Sequence, residues 1–363
     1  MLRVTYQLAS ASRDDAQAKA RDIALEQTAE LPATAVPADV AVVGDVEEVE
    51  QIGRGQWRAV IAFDPGIVGH DVSQLVNVLF GNISLKTGIL VVDVSIPPSL
   101  LVKFSGPVLG VTGVRQLCGV ARRPMLCTAL KPMGLSSERL ADLAFRFAAG
   151  GLDIIKDDHG VTDQATAPFD DRVVRCQEAV HRANAETGGR SLYFPNVTAG
   201  PKELARRVEV ARAAGCRGVM VSPMLTGLDA LQEVVAPAGL AIFTHPTLTG
   251  GFFRDDHGIS PDVLFGFLLR LAGADGVIYP NAGGRFRLTE AQCGAINDRL
   301  RAPLGSIRPS FPVAGGGIDA ARVPEWVQRY GLDTIFLVGS SLYAQGDVRR
   351  AAERLAQEVR RHG

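Results

Sequence analysis

The sequence predicts an α/β protein in which an N-terminal ferredoxin-like α+β domain, residues 1–112, precedes a (β/α)8 TIM barrel, residues 113–363. Two observations support this fold class. From about residue 115, eight short apolar runs alternate with amphipathic stretches, and eight β/α pairs are what a closed barrel requires. Before that point the predicted order is strand, helix, strand, strand, helix, strand, which is typical of the ferredoxin-like fold.

The N-terminal elements follow from the spacing of apolar residues, which alternates in strands and recurs every three to four residues in helices. Strands are predicted at 2–9, 43–52, 58–63 and 89–96, and helices at 14–26 and 71–80. Gly53 and Gly55 predict a turn between the second and third strands. Pro97 and Pro98, with the stretch after Phe104, mark the passage into the second domain.

The barrel elements are short apolar runs separated by helical patterns. Strands are predicted at 125–130, 153–156, 192–196, 218–222, 241–245, 276–280, 311–314 and 334–338. The predicted helices include 138–149, 202–214, 261–272, 289–300 and 347–361. A doubly wound open sheet would produce the same alternation, and the count of eight favours the barrel.

Composition narrows the classes of function. The chain is 47% hydrophobic and 21% charged with a net charge of −1, which argues against a partner that is a nucleic acid or a membrane surface. No apolar run reaches the roughly 18–20 residues of a membrane span, and the first residues lack a signal-peptide pattern. The five cysteines are scattered, without a CxxC motif. We therefore expect buried thiols in a reducing compartment, the cytoplasm.

Two lysines stand where predicted strands end. Lys131 follows the first barrel strand and Lys156 closes the second. The C-terminal strand ends of a barrel carry its catalytic groups, so a lysine there is a Schiff-base nucleophile, a point charge for a bound anion, or a modified residue.

Alternation along the second strand places Lys156 and Asp158 on one side and Asp157 on the other, and His159 follows. A lysine carbamylated by CO2 would be an oxygen-donor anion. Lys156, Asp158 and His159 would then form a three-ligand site for a hard divalent ion. The structural alternative is a cluster of salt bridges at a strand end.

The loops after the seventh and eighth barrel strands are rich in glycine, and barrels often bind phosphate between these loops. The candidate residues are Gly315, Gly316, Gly317, Gly339 and Ser340. Glycines allow backbone N–H groups to surround an anion. His245 ends the fifth strand and is either an acid/base or a structural imidazole. Asn196 ends the third and would orient a metal ligand or a substrate hydroxyl.

Several motifs together resemble the large subunit of ribulose-bisphosphate carboxylase (RuBisCO). They are GGLDIIKDDH at 150–159, TALKPMGLS at 128–136, FGN at 80–82, NVTAG at 196–200, AGGGI at 314–318 and GS at 339–340. The resemblance covers most of the chain and implies the same two-domain fold.

The resemblance also implies roles. Lys156 would be the carbamylated lysine that binds Mg2+, with Mn2+ or another divalent ion as alternatives, and Lys131 would handle the enolisation proton. His245 would be the histidine of the fifth strand. Asn82 would reach the substrate, and Glu26 would cross a two-fold axis into the partner's site. The family is therefore expected to form homodimers with shared active sites.

Five positions depart from the family pattern. His159 replaces a glutamate ligand, Met133 a lysine, Pro246 a phosphate-binding arginine and Ile278 a phosphate-binding histidine. At best, Arg285 replaces the mobile lysine of the sixth loop. One phosphate site is kept and the other lost, and an unpaired phosphate costs several kcal/mol. The chain therefore resembles a RuBisCO-like protein (form IV) rather than a carboxylase.

The implied activity is metal-dependent enolate chemistry on a monophosphorylated keto sugar or sugar acid. Strings at 26–28, 156–160 and 280–286 are most similar to enzymes that decarboxylate, or transcarboxylate and hydrolyse, 3-oxo-isoapionate 4-phosphate. The alternatives within the family are a methylthioribulose-phosphate isomerase and a diketo-methylthiopentyl-phosphate enolase. A Schiff-base aldolase and a non-catalytic sugar-phosphate binder are the alternatives from other classes.

Overall fold

The computed structural model describes residues 1–286 and 288–362 and contains two sheets. The strands are β1 (Leu2–Ala9), β2 (Asp45–Gly53), β3 (Gln56–Phe63), β4 (Ile89–Ser95), β5 (Met125–Leu130), β6 (Ile154–Asp157), β7 (Leu192–Phe194), β8 (Gly218–Val221), β9 (Ala241–Thr244), β10 (Gly258–Ile259), β11 (Gly276–Pro280), β12 (Phe311–Gly315) and β13 (Ile335–Leu337).

The α-helices cover the outer face of the barrel and one face of the smaller sheet. They are α1 (Arg13–Glu26), α2 (Val72–Phe80), α3 (Pro98–Leu101), α4 (Gly110–Cys118), α5 (Ser137–Ala149), α6 (Phe169–Thr187), α7 (Pro201–Ala213), α8 (Pro223–Thr226), α9 (Leu269–Leu271), α10 (Glu290–Arg301), α11 (Val323–Tyr330), α12 (Ser340–Tyr343) and α13 (Val348–Arg360). Two further segments, Leu231–Val235 and Asp262–Leu268, are π-helical.

The N-terminal sheet has the strand order β10-β4-β1-β3-β2. Its four N-terminal strands are antiparallel and are joined through α1 and α2, which confirms the ferredoxin-like prediction. Leu2, Val4, Tyr6 and Leu8 alternate along β1 and are fully buried, so the apolar face of the sheet forms the domain core. The parallel edge strand β10, contributed by the barrel segment, was not predicted, because two residues carry no periodicity.

The barrel sheet has eight parallel strands in the order β7-β6-β5-β13-β12-β11-β9-β8. A parallel bridge between Asn196 and Met220 joins the two end strands and closes the ring. The predicted bounds of β5 and β11 are exact, and β6 lies one residue later than predicted. Lys131, His245 and Asn281 each follow directly after a strand, so the closed ring brings the loops that carry them to one end of the barrel.

The passage between the domains runs through α4, which spans the predicted boundary at residue 112. Asp229 of the barrel accepts hydrogen bonds from the backbone N–H groups of Val72 and Ser73, at 2.7 and 3.0 Å, and so caps α2 of the other domain. In the described part of the chain, no helix has both the length and the apolar character needed to cross a bilayer.

Candidate active site

Lys156 is buried at the end of β6, with 1% of its surface exposed. Its Nζ donates a hydrogen bond to the carbonyl oxygen of Asp157 at 3.1 Å. Burial lowers the pKa of Lys156, because a buried ammonium loses its hydration. The neutral amine favoured in this way is the form that attacks an electrophilic carbon such as that of CO2.

Asp158 lies between three basic groups at the barrel mouth. Its Oδ1 is 3.6 Å from Nζ of Lys131 and 3.6 Å from Nδ1 of His159. Burial acts to raise the pKa of Asp158, but His159 and the two lysines together hold it well below its usual range. The carboxylate is therefore ionised at neutral pH and available to a cation.

His245 stacks face to face on His159, with ring centroids 4.6 Å apart and planes 10° from parallel. Its Nδ1 accepts a hydrogen bond from the backbone N–H of Thr247 at 3.2 Å and lies 2.7 Å from the hydroxyl of Thr247. Burial is the main cause that lowers the pKa of His245 well below its ordinary value, followed by the charges of Lys156 and His159. The imidazole is thus neutral, and its proton is on Nε2.

Asp157 points away from Lys156, as the alternation predicts. Its carboxylate accepts hydrogen bonds from Arg172, Tyr193 and the backbone N–H of Asn196, all three buried. Asn196 uses its amide to donate to the carbonyl oxygens of His159 and Val161, at 2.9 and 3.1 Å. The amide therefore positions the segment that carries His159.

The glycine loops present free backbone donors. Among the described residues, the N–H groups of Gly316, Gly317, Gly339 and Ser340 have no hydrogen-bond partner. Gly316 and Gly317 have φ angles of 105° and 67°, which other residues adopt at a cost. Nζ of Lys131 lies 3.9 Å from where a β-carbon would stand on Gly339, so this lysine reaches from Asp158 to the glycine loops.

Whether a divalent ion can bind depends on which side chains are available as its ligands. Among residues 1–286 and 288–362, no three His, Cys, Asp or Glu side chains converge as a metal site. Asp158 and His159 supply two ligands, and an unmodified lysine supplies none. The set fits a divalent ion when Lys156 carries an anionic carbamate, and the lowering of the Lys156 pKa by burial suits that modification.

The positions that depart from the carboxylase pattern are apolar or exposed. Ile278 is 2% exposed and lies in the barrel core. Met133 is 60% exposed, and its sulfur lies 3.4 Å from Nε2 of Gln164. Pro246 has no N–H to donate. The Arg285 guanidinium is exposed and lies over the ring of Phe286, 5.3 Å from the centroid.

Glu26 and Asn82 meet on the N-terminal domain. Nδ2 of Asn82 donates to Oε1 of Glu26 at 3.2 Å, and Lys86 lies 3.8 Å from the same carboxylate. In the described part of the chain neither side chain hydrogen-bonds to a barrel residue. The structure therefore brings these two candidates to each other and not to the site residues of their own barrel.

Two supporting side chains were missed from the sequence. The Tyr343 hydroxyl donates to the carbonyl oxygen of Ala129 at 2.9 Å and accepts from the N–H of Lys131 at 3.1 Å, so it holds the end of β5. Asn281 directly follows β11 and is fully buried. Its place after a strand is the signal that drew attention to Lys131, and it could have been found in the same way.

Comparisons with known proteins agree with this geometry. The family model for the ribulose bisphosphate carboxylase large chain, catalytic domain, matches residues 110–348. A 5-methylthioribulose-1-phosphate isomerase of Rhodospirillum rubrum is 41% identical over 363 residues, covering 99% of this chain and 94% of that protein. Ribulose bisphosphate carboxylase-like protein 1 of Rhodopseudomonas palustris is 39% identical, covering 99% and 98%.

A solved structure shows the same fold. The crystal structure of a Rubisco-like protein from Rhodopseudomonas palustris superposes with a TM-score of 0.91 at 36% sequence identity, covering 100% of this chain and 98% of that one. Sequence and structure thus match over the whole length and not only in the barrel. The chain belongs to the ribulose bisphosphate carboxylase large-chain family, and its close relatives are the RuBisCO-like proteins of form IV.

Proposed function

We propose that the protein transfers a proton through an enolate on a monophosphorylated keto sugar of the 5-methylthioribulose 1-phosphate class. The observation that carries this proposal is the polarity of the barrel mouth. Free backbone N–H groups and Lys131 stand at one end. At the two positions where the family pattern has an arginine and a histidine for a second phosphate, the chain has Pro246 and Ile278, neither of which carries a charge. A substrate with a single phosphate matches this loss of the second anion site.

Leu248 supports an apolar part of the substrate. It lies three residues after His245, in the loop that follows β9, and its side chain is 57% exposed. Its φ angle is 70°, which is rare for a leucine and costs on the order of 1–3 kcal/mol. Strain of this kind is concentrated at functional sites, which supports a contact between Leu248 and the substrate.

The roles of the polar groups follow from their contacts. Lys131, beside ionised Asp158 and the glycine loops, is placed to hold the phosphorylated end and to exchange a proton with the adjacent carbon. His245 offers the Nε2 proton to the developing oxyanion. Asp158, His159 and carbamylated Lys156 would hold the divalent ion, and the ion when bound polarises the ketone.

The test follows the substrate's carbon-bound proton. Purified protein treated with bicarbonate and Mg2+ is incubated in D2O with 5-methylthioribulose 1-phosphate, and NMR records exchange of the proton next to the ketone. We expect exchange and isomerised product, both lost in Lys131→Met. Ribulose 1,5-bisphosphate should give no phosphoglycerate. No exchange, or full activity in chelator with borohydride trapping of a lysine adduct, would contradict the proposal and favour the aldolase.

A second candidate substrate is 3-oxo-isoapionate 4-phosphate. The strings at 26–28, 156–160 and 280–286 favour it by resemblance. It has one phosphate and would react through an enolate of its own, so the same residues would serve. Release of CO2 from this compound, without exchange on the methylthio compound, would select decarboxylation or transcarboxylation and hydrolysis.

We also infer a homodimer with shared sites. The pair formed by Glu26 and Asn82 makes no hydrogen bond to its own barrel within the described residues, and archaeal relatives of this family have been described as dimeric or octameric. A pair held ready on the smaller domain is suited to complete the barrel mouth of a second copy.

A further inference from the structure

The three carbonyl oxygens of the glycine loop after β12 are each bound by a donor from another element. The N–H of Asn281 donates to Gly315 at 2.9 Å, and Nδ2 of Asn281 donates to Gly316 at 3.1 Å. Nη1 of Arg322 donates to the carbonyl oxygen of Gly317 at 3.0 Å. Two residues thus bind all three carbonyl oxygens, Asn281 through its backbone N–H and its side chain and Arg322 through its side chain.

This arrangement determines where the N–H groups point. In a trans peptide the carbonyl oxygen of one residue and the N–H of the next point in opposite directions. Fixing the carbonyls of Gly315, Gly316 and Gly317 therefore turns the N–H groups of Gly316, Gly317 and Ile318 to the other side. Those N–H groups have no partner among the described residues, so they are left for a ligand.

Both donors are themselves held in place. Asn281 is fully buried, and its Oδ1 accepts a hydrogen bond from the Tyr330 hydroxyl at 2.7 Å. Arg322 is ion-paired with Glu325 at 3.1 Å, and its guanidinium lies 4.5 Å from the centroid of Trp326. The loop after β11 also touches the glycine loop directly, because a β-carbon on Gly317 would meet the carbonyl oxygen of Gly283 at 2.7 Å.

We propose that Asn281 and Arg322 are positioning residues that preorganise the glycine loop for the phosphate of the substrate. Neither needs to touch the phosphate. Both bind the carbonyl side of the peptides whose N–H groups face it, and so remove the cost of ordering those groups on binding. The proposal rests on the proposed function only in taking this loop as the phosphate site.

The test uses inorganic phosphate as the probe, so that it does not depend on turnover. Calorimetric titration is carried out on the wild type, Asn281→Asp, Arg322→Gln and Arg322→Lys. Aspartate in place of Asn281 keeps the shape but cannot donate to Gly316. Loss of either donor should weaken phosphate binding about tenfold, roughly the value of one hydrogen bond. Arg322→Lys, which keeps a donor, should recover part of the loss.

Arg329→Gln is the matched control. Arg329 also stacks on Trp326, 5.2 Å from the centroid, and also pairs with Glu325, but it makes no hydrogen bond to the glycine loop within the described residues. Its phosphate affinity should equal that of the wild type. With an active substrate, Asn281→Asp and Arg322→Gln should raise KM more than they lower kcat.

Several outcomes would overturn the proposal: no phosphate binding to the wild type, unchanged affinity in both variants, or an equal loss in Arg329→Gln. Failure of the proposed function looks different, because phosphate would still bind and weaken in the two variants while no keto-sugar phosphate is turned over. If Asn281→Asp does not fold, the half-buried Arg322 still decides the matter.

Discussion

One step along β6 separates two different environments. Lys156 belongs to the candidate site, whereas Asp157 accepts three hydrogen bonds on the other face of the strand and is fully buried. The period of two along a strand predicts the opposite directions but not the partners. Arg172 and Tyr193 are brought to Asp157 by α6 and β7, the next two elements along the chain, and at separations of 15 and 36 residues no periodicity within β6 predicts them.

Removing the Arg172 guanidinium, which is paired with the buried carboxylate of Asp157, should lower the free energy of unfolding. In Arg172→Leu the Asp157 carboxylate loses its only charged partner among the described residues, and a buried unpaired charge costs about 3–5 kcal/mol. Urea unfolding should show this loss in the free energy of unfolding. The control is Arg175→Leu, one helical turn away on the same helix, where the exposed pair with Asp171 is worth at most about 1 kcal/mol. Equal losses in both variants would contradict the explanation.

At the level of single residues, the sequence predicted which side chains lie together at the strand ends better than it predicted the residues that hold them in place. Lys131, Asp158, His159 and His245 lie together, as strand ends in a barrel require. The hydrogen bonds of Asn281 to the glycine loop depend on contact between two loops that are far apart in the chain. Such contacts become visible only in the folded molecule.

At the level of elements, the buried carboxylate of Asp275 connects α4, β9 and β11. Asp275, just before β11, accepts hydrogen bonds from the N–H groups of Leu109 and Gly110 at the start of α4 and of Ile242 in β9. The three donors favour the ionised form, but burial outweighs them and raises the pKa of Asp275 to about 6. The junction therefore responds to pH.

The sign of that response follows from proton binding. Between about pH 4 and 6 the folded state holds a proton on Asp275 that the unfolded chain, with a pKa near 3.9, has released. Stability therefore falls as pH rises through this window. The difference in unfolding free energy between wild type and Asp275→Asn should shrink by about 2 kcal/mol from pH 4.5 to 7.5. A difference that stays constant with pH, or grows, would show that the carboxyl titrates normally.

Fully buried apolar runs were predicted well, whereas irregular segments and segments that depend on a partner were not. The apolar runs of β5 and β11 have exact bounds because both faces of a barrel strand are buried. The helix predicted at 261–272 is wound largely as a π-helix over Asp262–Leu268, and its apolar pattern resembles that of an α-helix. The strand β10 depends entirely on its partner β4.

At the level of the whole molecule, an active site shared between two subunits leads to a prediction that is tested with mixed dimers. Glu26→Gln and Lys156→Ala should each be inactive as homodimers. Mixed under conditions that exchange subunits, they should recover up to about a quarter of wild-type activity, because half the dimers are mixed and each has one intact site. Mass spectrometry of differently tagged subunits verifies the exchange. Exchange without recovery would mean that Glu26 does not serve the partner's site.

The short strand β10 has a consequence for how two such sites would work together. The segment that starts at His245 on the barrel rim ends at Gly258–Ile259, and these two residues form β10, which pairs with β4 of the smaller domain. The chain that carries the imidazole is therefore anchored to that domain by the pairing of β10 with β4. In the proposed dimer this same domain carries Glu26 and Asn82 into the neighbouring barrel. Substrate binding at one active site would then be linked, through the backbone of one subunit, to the segment that begins at His245 in the other active site.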